Sequence, residues 1–243
     1  MSAAVPPWAR SFSPYATFGQ VPPAQVRDAV RQQFTRWGRP EWLRVDNGVP
    51  WGNWNDLPTA FALWAIGVGI HWHWNDPCCP TQNPKVERAQ GTGQRWGDAK
   101  SCRSVAELQA NLDDADGYHR EKQRVTKVKK TRLELFPELQ DSDRPYTLAW
   151  ENGHWDLALV EDHLSEYVVP RRVCASGHVS VYDHGRFVGK QYAGEYVKVQ
   201  YDPDAHLWII RDSQEREIRC VEAPEINRAE IDKMSFRKPR HKK

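Results

Sequence analysis

The chain has 243 residues, a formal net charge of +2, 40% hydrophobic residues and 27% charged residues, which predict a soluble protein of one large or two modest domains. No segment approaches the roughly 18 consecutive apolar residues of a membrane helix, and the first residues lack the apolar region of a secretory signal. The five cysteines form no CxxC pair, which argues against a disulfide framework or a zinc site and favours a reducing cytoplasm.

Helical and strand signals alternate in the first half of the chain. Apolar residues at helical spacing predict a helix over 24–37, with a stop at Gly38. A short strand is expected over 42–45, an amphipathic helix over 57–68 and a second brief strand over 70–74.

Two more helices are expected after a loop rich in proline and cysteine. Asn83 is a suitable N-cap for the first of them, and Pro84 suits its first helical position. Ser104 and Glu107 have the spacing of a capping box at the start of the other, which should end near Glu121. The alternation of strands and helices up to this point predicts an α/β fold.

The second half of the chain changes to a hydrophobic alternation of period two. The boundary is expected between residues 120 and 145. Short strands at regular spacing, separated by turn residues, predict a small β-barrel or β-sandwich. The predicted strands cover residues 179–181, 187–188, 197–201, 207–210 and 217–221.

The sequence RVDNGVPWG, residues 44–52, places the carboxylate of Asp46 at the end of the first predicted strand. A candidate partner is Glu87, in the first turn of the helix that begins at Pro84. If that helix packs across the sheet, the two carboxylates can approach each other and bind a hard cation such as Mg²⁺, as in two-metal phosphoryl displacement. The alternative is a turn residue at Asp46 and a helix-start acid at Glu87.

Basic residues are concentrated in two segments. Residues 120–132 contain seven Lys or Arg and one acid, and the last seven residues contain five Lys or Arg. Such segments suit contacts with DNA phosphates, and the alternative for each is a solvated linker or tail. The candidate DNA-contacting residues are Lys85, Arg88, Lys127, Lys129, Lys130, Arg132, Arg171 and Arg172.

Three stretches in order resemble the catalytic core of the DDE transposase and integrase family: DNGVPWG, LPTAFALWAIGVGI and PTQNPKVERAQGTGQRW. This resemblance covers roughly residues 13–120. The later stretch VVPRRVCASGHVSVYDHGRFVGKQYAGEYVKVQYDP is similar to the small C-terminal β-barrel of bacterial insertion-sequence transposases of the phage Mu type.

The resemblance implies an RNase H-like core that cuts and joins DNA with Mg²⁺ or Mn²⁺. Asp46 would be the second acidic ligand of the metal and Glu87 the third. The implied partners are double-stranded DNA, as element ends and target, and further copies of the chain in a homo-oligomer; the implied location is cytoplasmic, at the nucleoid. The expected domains are a partial core over 1–121, a basic linker over 122–160, a β-barrel over 161–225 and a basic tail over 226–243.

Two departures from the family pattern affect the expected activity. Pro84 stands where the family's helix usually has glycine. The family's first aspartate lies on the opening strand of the core, whereas only Asp28, inside a predicted helix, precedes Asp46. The chain is therefore expected to begin after that strand, with its first strands and one metal ligand missing and its cleavage and strand transfer impaired.

Three alternatives follow from the missing aspartate. The chain could be a non-catalytic DNA-binding or oligomerising remnant of a transposase. The incomplete core could misfold and leave only the β-barrel stable. The true start of the protein could also lie upstream of Met1, which would restore the missing ligand.

Aromatic and histidine residues give two further candidates. His71 and His73 alternate along a predicted strand, so they are expected to share one face, with metal binding as the alternative. Most of the 12 tryptophans are expected in the core. Trp51 and Trp54, just after the Asp-Asn-Gly sequence, are candidates to line a DNA path by stacking on bases.

Overall fold

The computed structural model describes residues 23–48, 51–52, 56–76, 79, 84–140 and 142–234, without the side chains of 23, 24, 85–87, 90 and 139. The described helices are α1 (Pro23–Trp37), α2 (Ala60–Gly67), α3 (Pro84–Gly97), α4 (Val105–Glu121), α5 (Arg132–Leu135), α6 (Leu148–His154), α7 (Leu157–Ser165) and α8 (Arg228–Lys233). The described strands are β1 (Trp42–Val45), β2 (His71–Trp74), β3 (Val168–Arg172), β4 (His178–Val181), β5 (His184–Phe187), β6 (Tyr196–Asp202), β7 (Leu207–Arg211) and β8 (Glu217–Glu222).

This composition of helices and strands confirms the prediction of a mixed α/β chain. The chain divides into two compact units, each built from two separate segments. The first unit contains residues 1–41 and 78–152, and the second contains residues 42–77 and 153–243. The predicted domain boundaries remain predictions. None of the helices in the described ranges combines the length and the apolar character needed to cross a membrane.

In the first unit, α3 and α4 pack against each other as a helical hairpin. The start of α4 is capped by Ser104, whose Oγ accepts a hydrogen bond of 3.1 Å from the backbone N–H of Glu107. The Glu107 carboxylate accepts from the backbone N–H of Arg103, at 2.8 Å. The bond predicted from the Glu107 N–H to the Ser104 hydroxyl is therefore confirmed. The Glu107 carboxylate, however, accepts from the N–H of Arg103 and not from that of Ser104.

Elsewhere in the first unit, α1 packs against the segment that follows residue 140. Phe34 on α1 is buried and lies edge-on to Tyr146, with ring centroids 5.6 Å apart. Gly38 has a φ of +74°, and a side chain there would collide with Ser142. The segment 122–160, predicted as a linker, thus contains α5, α6 and the start of α7, and its later part packs against α1.

The second unit begins with a β-α-β arrangement in which β1 and β2 are parallel neighbours. In both strands the exposed and buried residues alternate, which is the pattern of a sheet covered on one face. All 8 residues of α2 are buried, because the helix packs against β2, α7 and α8. The prediction of an amphipathic helix here is wrong in this respect: a helix that is apolar on every side is a fully buried one.

The rest of the second unit is mainly antiparallel. Four strands pair in the order β3-β6-β7-β8, and β4 and β5 form a separate hairpin. The hairpin turns at Tyr182 and Asp183, which both have positive φ, as a two-residue turn of type I′ requires. Within the described residues no closed barrel is found.

Strands β3, β4, β6 and β7 each bury residues of one face, whereas β5 and β8 contain no buried residue. The inward side chains include Val169, Val197, Val199, Trp208 and Ile210, all at most 2% exposed. The expected period-two alternation is confirmed in β4, β6 and β7. The segment predicted as a basic tail, 226–243, contains α8, which is anchored by the buried Ile231; residues 235–243 lie outside the described ranges.

Candidate functional site

Asp46 lies immediately after β1, at the edge of the sheet where both parallel strands end. The neighbouring strand ends with Trp74, and Asn75 follows it. The backbone N–H of Asn75 donates to the carbonyl of Val45 at 2.9 Å, which extends the pairing by one residue. Polar side chains that follow the two strands are therefore brought together, at the edge where α/β sheets commonly bind ligands.

Three side chains form a polar cluster at this edge. The Asn75 Nδ2 donates to Asp46 Oδ1 at 2.5 Å. The Asn47 Nδ2 donates to the backbone carbonyl of Asn75 at 2.7 Å. Asp46 and Asn47 are exposed, whereas Asn75 is 4% exposed. The Asp46 carboxylate is thus exposed to solvent and accepts a hydrogen bond from a buried amide.

The glycines of the Asp-Asn-Gly-containing stretch close the following loop. Gly48 and Gly52 exchange two backbone hydrogen bonds, of 2.6 and 2.7 Å. Both have positive φ, of 149° and 103°, which glycine adopts without steric cost. The two bonds therefore join Gly48 and Gly52 directly in the stretch that follows Asp46.

Trp51, a candidate for stacking on bases, is anchored in the second unit. Its ring lies edge-on to Phe61, with centroids 5.2 Å apart. Its backbone carbonyl accepts a hydrogen bond from Trp74 Nε1 at 3.1 Å. Trp51 therefore has a packing role against α2 whatever else it contacts, and its place in a DNA path remains a prediction. Trp54 lies outside the described residues.

Glu87, the predicted partner of Asp46, belongs to α3 in the first unit, whereas Asp46 belongs to the second. The side chains of Glu87 and Lys85 lie outside the described residues, so the pairing of Asp46 with Glu87 remains a prediction. Within the described ranges, no group of three or more His, Cys, Asp or Glu side chains is arranged to hold a metal ion. The oxygens at the sheet edge, from Asp46 and Asn75, are of the type that hard divalent cations prefer.

His71 and His73 are both exposed, and the intervening Trp72 and Trp74 are buried. The expectation that alternate residues share one face of the strand is therefore confirmed. His71 stacks on Trp42 of the neighbouring strand, with ring centroids 4.3 Å apart and an interplanar angle of 26°.

Three of the candidate DNA-contacting lysines occupy one exposed turn of the first unit. The backbone N–H of Val125 donates to the Lys130 carbonyl, and that of Lys129 donates to the Val125 carbonyl, each at 2.8 Å. Lys129 has a φ of +56°, a backbone conformation that residues other than glycine rarely adopt. The turn presents Lys127, Lys129 and Lys130 to solvent, so their ammonium groups can reach a phosphate backbone.

The candidate arginines differ in how firmly the fold engages them. Arg132 donates through Nη1 to the carbonyl of His119, at 2.7 Å, near the end of α4. Arg171 donates through Nη2 to Asp56 Oδ1 at 2.5 Å, an ion pair within the second unit. Arg172 has a longer bond of 3.4 Å from Nε to the Gly194 carbonyl and is exposed, as is Arg88 on α3. Arg132 and Arg171 therefore have structural roles beside any contact with DNA.

Asn75 is the residue of this cluster that the sequence interpretation missed. Its signal is the repetition of a polar pair after each strand, Asp46-Asn47 after β1 and Asn75-Asp76 after β2. That signal becomes meaningful only once the two strands are known to be parallel neighbours. A comparison with models of known protein families finds no match to the chain.

Proposed function

We propose that the chain is a transposase of the DDE type, whose chemistry is metal-dependent DNA cleavage and strand transfer. In this proposal residues 1–121 belong to a partial RNase H-like core, and residues 161–225, which contain strands β3 to β8, correspond to the small C-terminal β-barrel of the phage Mu type. Asp46 and Glu87 would hold Mg²⁺ or Mn²⁺. The chain would act on double-stranded DNA as a homo-oligomer.

The observation that carries the proposal is the position of Asp46. The β-α-β arrangement brings its carboxylate to the end of a parallel strand pair, and the buried Asn75 fixes its orientation. The two glycines of the motif DNGVPWG bond to each other through their backbones just after this carboxylate, which supports the proposal. The order of Asp46, α2 and the helix containing Glu87 along the chain also matches the family pattern.

A divalent cation at such carboxylates supplies charge stabilisation for an in-line displacement at phosphorus and activates the attacking oxygen. Asp46 would contribute an oxygen ligand held in a fixed direction. Glu87 would contribute a second from the first turn of α3. Lys127, Lys129 and Lys130 would bind backbone phosphates of DNA and position the duplex, without reading its sequence.

The test is nicking of supercoiled plasmid DNA by the purified full chain with Mn²⁺ or Mg²⁺. Nicking should fall at least roughly 100-fold in Asp46→Asn and in Glu87→Gln, because each removes a charged metal ligand. Glu41→Gln, an exposed acid just before β1, is the control and should retain wild-type nicking. Nicking that persists in both variants would assign it to a contaminating nuclease and contradict the proposal.

A second candidate function, DNA binding without cleavage, is favoured by the exposed lysine turn at 125–130. If the chain has this function, its affinity for DNA should fall steeply as the salt concentration rises, because binding releases counterions from the phosphates. Each of Lys127→Ala, Lys129→Ala and Lys130→Ala should reduce the slope of log affinity against log salt by about 1. Lys190→Ala, an exposed lysine of the second unit, is the matched control.

Measuring DNA binding and DNA nicking on the same purified chain distinguishes the transposase from the non-catalytic DNA-binding protein. A chain that binds DNA with this salt dependence but does not nick it with either metal is the non-catalytic remnant. Unchanged affinity in all three lysine variants would remove the DNA-binding role of the turn.

A further inference from the structure

Asn75 is a buried amide with an unsatisfied acceptor. Its Nδ2 donates to Asp46 Oδ1 at 2.5 Å, and its backbone N–H and carbonyl are both engaged. Its Oδ1 is buried and has no hydrogen-bond partner among the described residues. Buried polar atoms without partners are rare in folded proteins, because they lose their hydration without replacement.

The orientation of the Asn75 amide follows from the chemistry of its neighbour. A carboxylate only accepts hydrogen bonds, so the amide nitrogen must face Asp46. Turning the amide over would place its oxygen against the carboxylate oxygen, with no proton between them. The unsatisfied Oδ1 is joined to Nδ2 through one carbon, so it lies at most roughly 5 Å from Asp46 Oδ1. Its position is thus beside the carboxylate that the proposed function assigns to metal binding.

We infer that Asn75 is a positioning residue of a divalent cation site at Asp46, with its Nδ2 fixing the carboxylate and its Oδ1 accepting a hydrogen bond from a water of the hydrated cation. This inference rests on the proposed function and deepens it. Mg²⁺ keeps several of its waters when it binds carboxylates in proteins, and those waters are hydrogen-bond donors. Partners of this kind orient the ligands and are needed for full metal affinity.

The chemistry of the site selects a hydrated cation over an isolated water. An uncharged oxygen and a carboxylate side by side both attract positive charge, and neither can donate a proton to the other. A lone water could donate to the Oδ1 equally well, and metal affinity would then depend on Asn75 only through the bond from its Nδ2 to Asp46.

The test measures Mn²⁺ binding to the full chain by the electron paramagnetic resonance of free Mn²⁺, together with the shift in melting temperature that Mn²⁺ produces. Asn75→Leu removes both amide groups at similar size and should weaken Mn²⁺ binding roughly 10- to 100-fold. Asn75→Asp replaces the donor with a second carboxylate. It should lower the melting temperature without metal, because like charges repel, and enlarge the stabilisation by Mn²⁺ above the wild-type value.

Asn227→Ser is the control variant, since Asn227 caps α8 in the same unit and serine also caps helices well. It should leave Mn²⁺ affinity unchanged. If both Asn75 variants bind Mn²⁺ as the wild type does while their melting temperatures change, Asn75 is only a structural residue and the inference is overturned.

Failure of the inference is distinguishable from failure of the proposed function. Binding of Mn²⁺ that depends on Asp46 but not on Asn75 overturns the inference alone. Absence of Mn²⁺ binding by the wild type in the millimolar range, or binding that Asp46→Asn leaves intact, removes the proposed metal site and the inference with it.

Discussion

Glu151 is fully buried in the first unit, and its carboxylate is paired with Arg31, which lies 120 residues earlier in the chain. Arg31 donates to both of its oxygens, at 2.6 and 3.0 Å, and the Tyr146 hydroxyl donates to Oε2. A paired arrangement of this kind satisfies a charge that would otherwise be very costly to bury. The three residues join α1 to α6 through one carboxylate.

Removal of the arginine should therefore be more damaging than loss of one contact. Arg31→Met should lower the free energy of unfolding by roughly 3–5 kcal/mol, because it leaves a buried charge without its partner. The double variant Arg31→Met/Glu151→Leu should recover much of that loss. Urea unfolding measures both, and Lys233→Met, which breaks an exposed ion pair with Glu230, should change stability by at most about 1 kcal/mol. A small loss in Arg31→Met would show that Glu151 is not held by this pair.

Two exposed cysteines of the second unit have opposite chemical surroundings. A hydrogen bond with the Ser176 hydroxyl lowers the pKa of Cys174, with help from backbone N–H groups. The Glu217 carboxylate, by accepting from the thiol, raises the pKa of Cys220. Since the thiolate is the reactive form, the two side chains should differ in reactivity although both are exposed.

Iodoacetamide should accordingly alkylate Cys174 faster than Cys220 at pH 7.5. Peptide mass spectrometry after timed quenching gives the two rates in one sample. Ser176→Ala should slow Cys174 and leave Cys220 unchanged. Equal rates for the two cysteines in the wild-type chain would contradict this prediction.

At the scale of elements, α2 depends on close contact with the segment before α7. Trp155 donates through Nε1 to the Trp64 carbonyl at 3.2 Å, and the Asp156 N–H donates to the Gly67 carbonyl at 2.8 Å. A methyl group at Gly67 would lie 2.2 Å from the Trp155 ring. The glycine is required by this contact, and no flexible side-chain end is available to move aside.

Gly67→Ala should therefore lower the free energy of unfolding by roughly 1–3 kcal/mol, the range for overpacking a core. Gly117→Ala is the matched control, because a methyl group on that α4 glycine meets nothing within 4 Å. In a helix this replacement should raise stability by roughly 0.5–1 kcal/mol. Thermal or urea unfolding of both variants gives the comparison. Stabilisation by Gly67→Ala would mean that Trp155 does not cover α2.

The elements that the sequence predicts well are those whose signals are local. The alternation in β1 and β2 is visible in four residues, and the helix start at Ser104 needs only its own capping pattern. The burial of α2 could not be predicted in this way, because α7 and α8, which cover it, lie some 90 to 170 residues further along the chain. The polar cluster could be predicted only in part. The carboxylate of Asp46 is recognisable because it follows a predicted strand, whereas Asn75 can be placed beside it only once β1 and β2 are known to pair in parallel.

Charge composition alone describes the basic segment in the middle of the chain incompletely. Arg120, at the end of α4, lies over the Trp37 ring, 4.0 Å from its centroid, and Arg132, in the predicted linker, binds the end of α4. Long basic side chains bury their stems and bind carbonyls while they remain charged. A high density of arginine therefore does not by itself separate a linker from a folded segment.

At the scale of the whole molecule, burial of tyrosine hydroxyls links stability to alkaline pH in both units. Burial, reinforced by Glu151, raises the pKa of Tyr146 in the first unit. In the second unit burial raises the pKa of Tyr167, Tyr182 and Tyr201, reinforced by carboxylates near each of them. The folded chain thus keeps four phenolic protons to higher pH than the unfolded chain does.

The free energy of unfolding should consequently be constant with respect to these groups below pH 10, their ordinary pKa, and should fall above it. There the unfolded state binds fewer protons than the folded state, so the slope of stability against pH is negative, up to about 1.4 kcal/mol per pH unit for each tyrosine. Urea unfolding between pH 8 and 11 measures the slope. Tyr201→Phe, which loses a hydrogen bond to Glu161, should be less stable at pH 8 but show a shallower decline above pH 10. A wild-type stability that stays level to pH 11 would show that these hydroxyls are not buried in the folded chain.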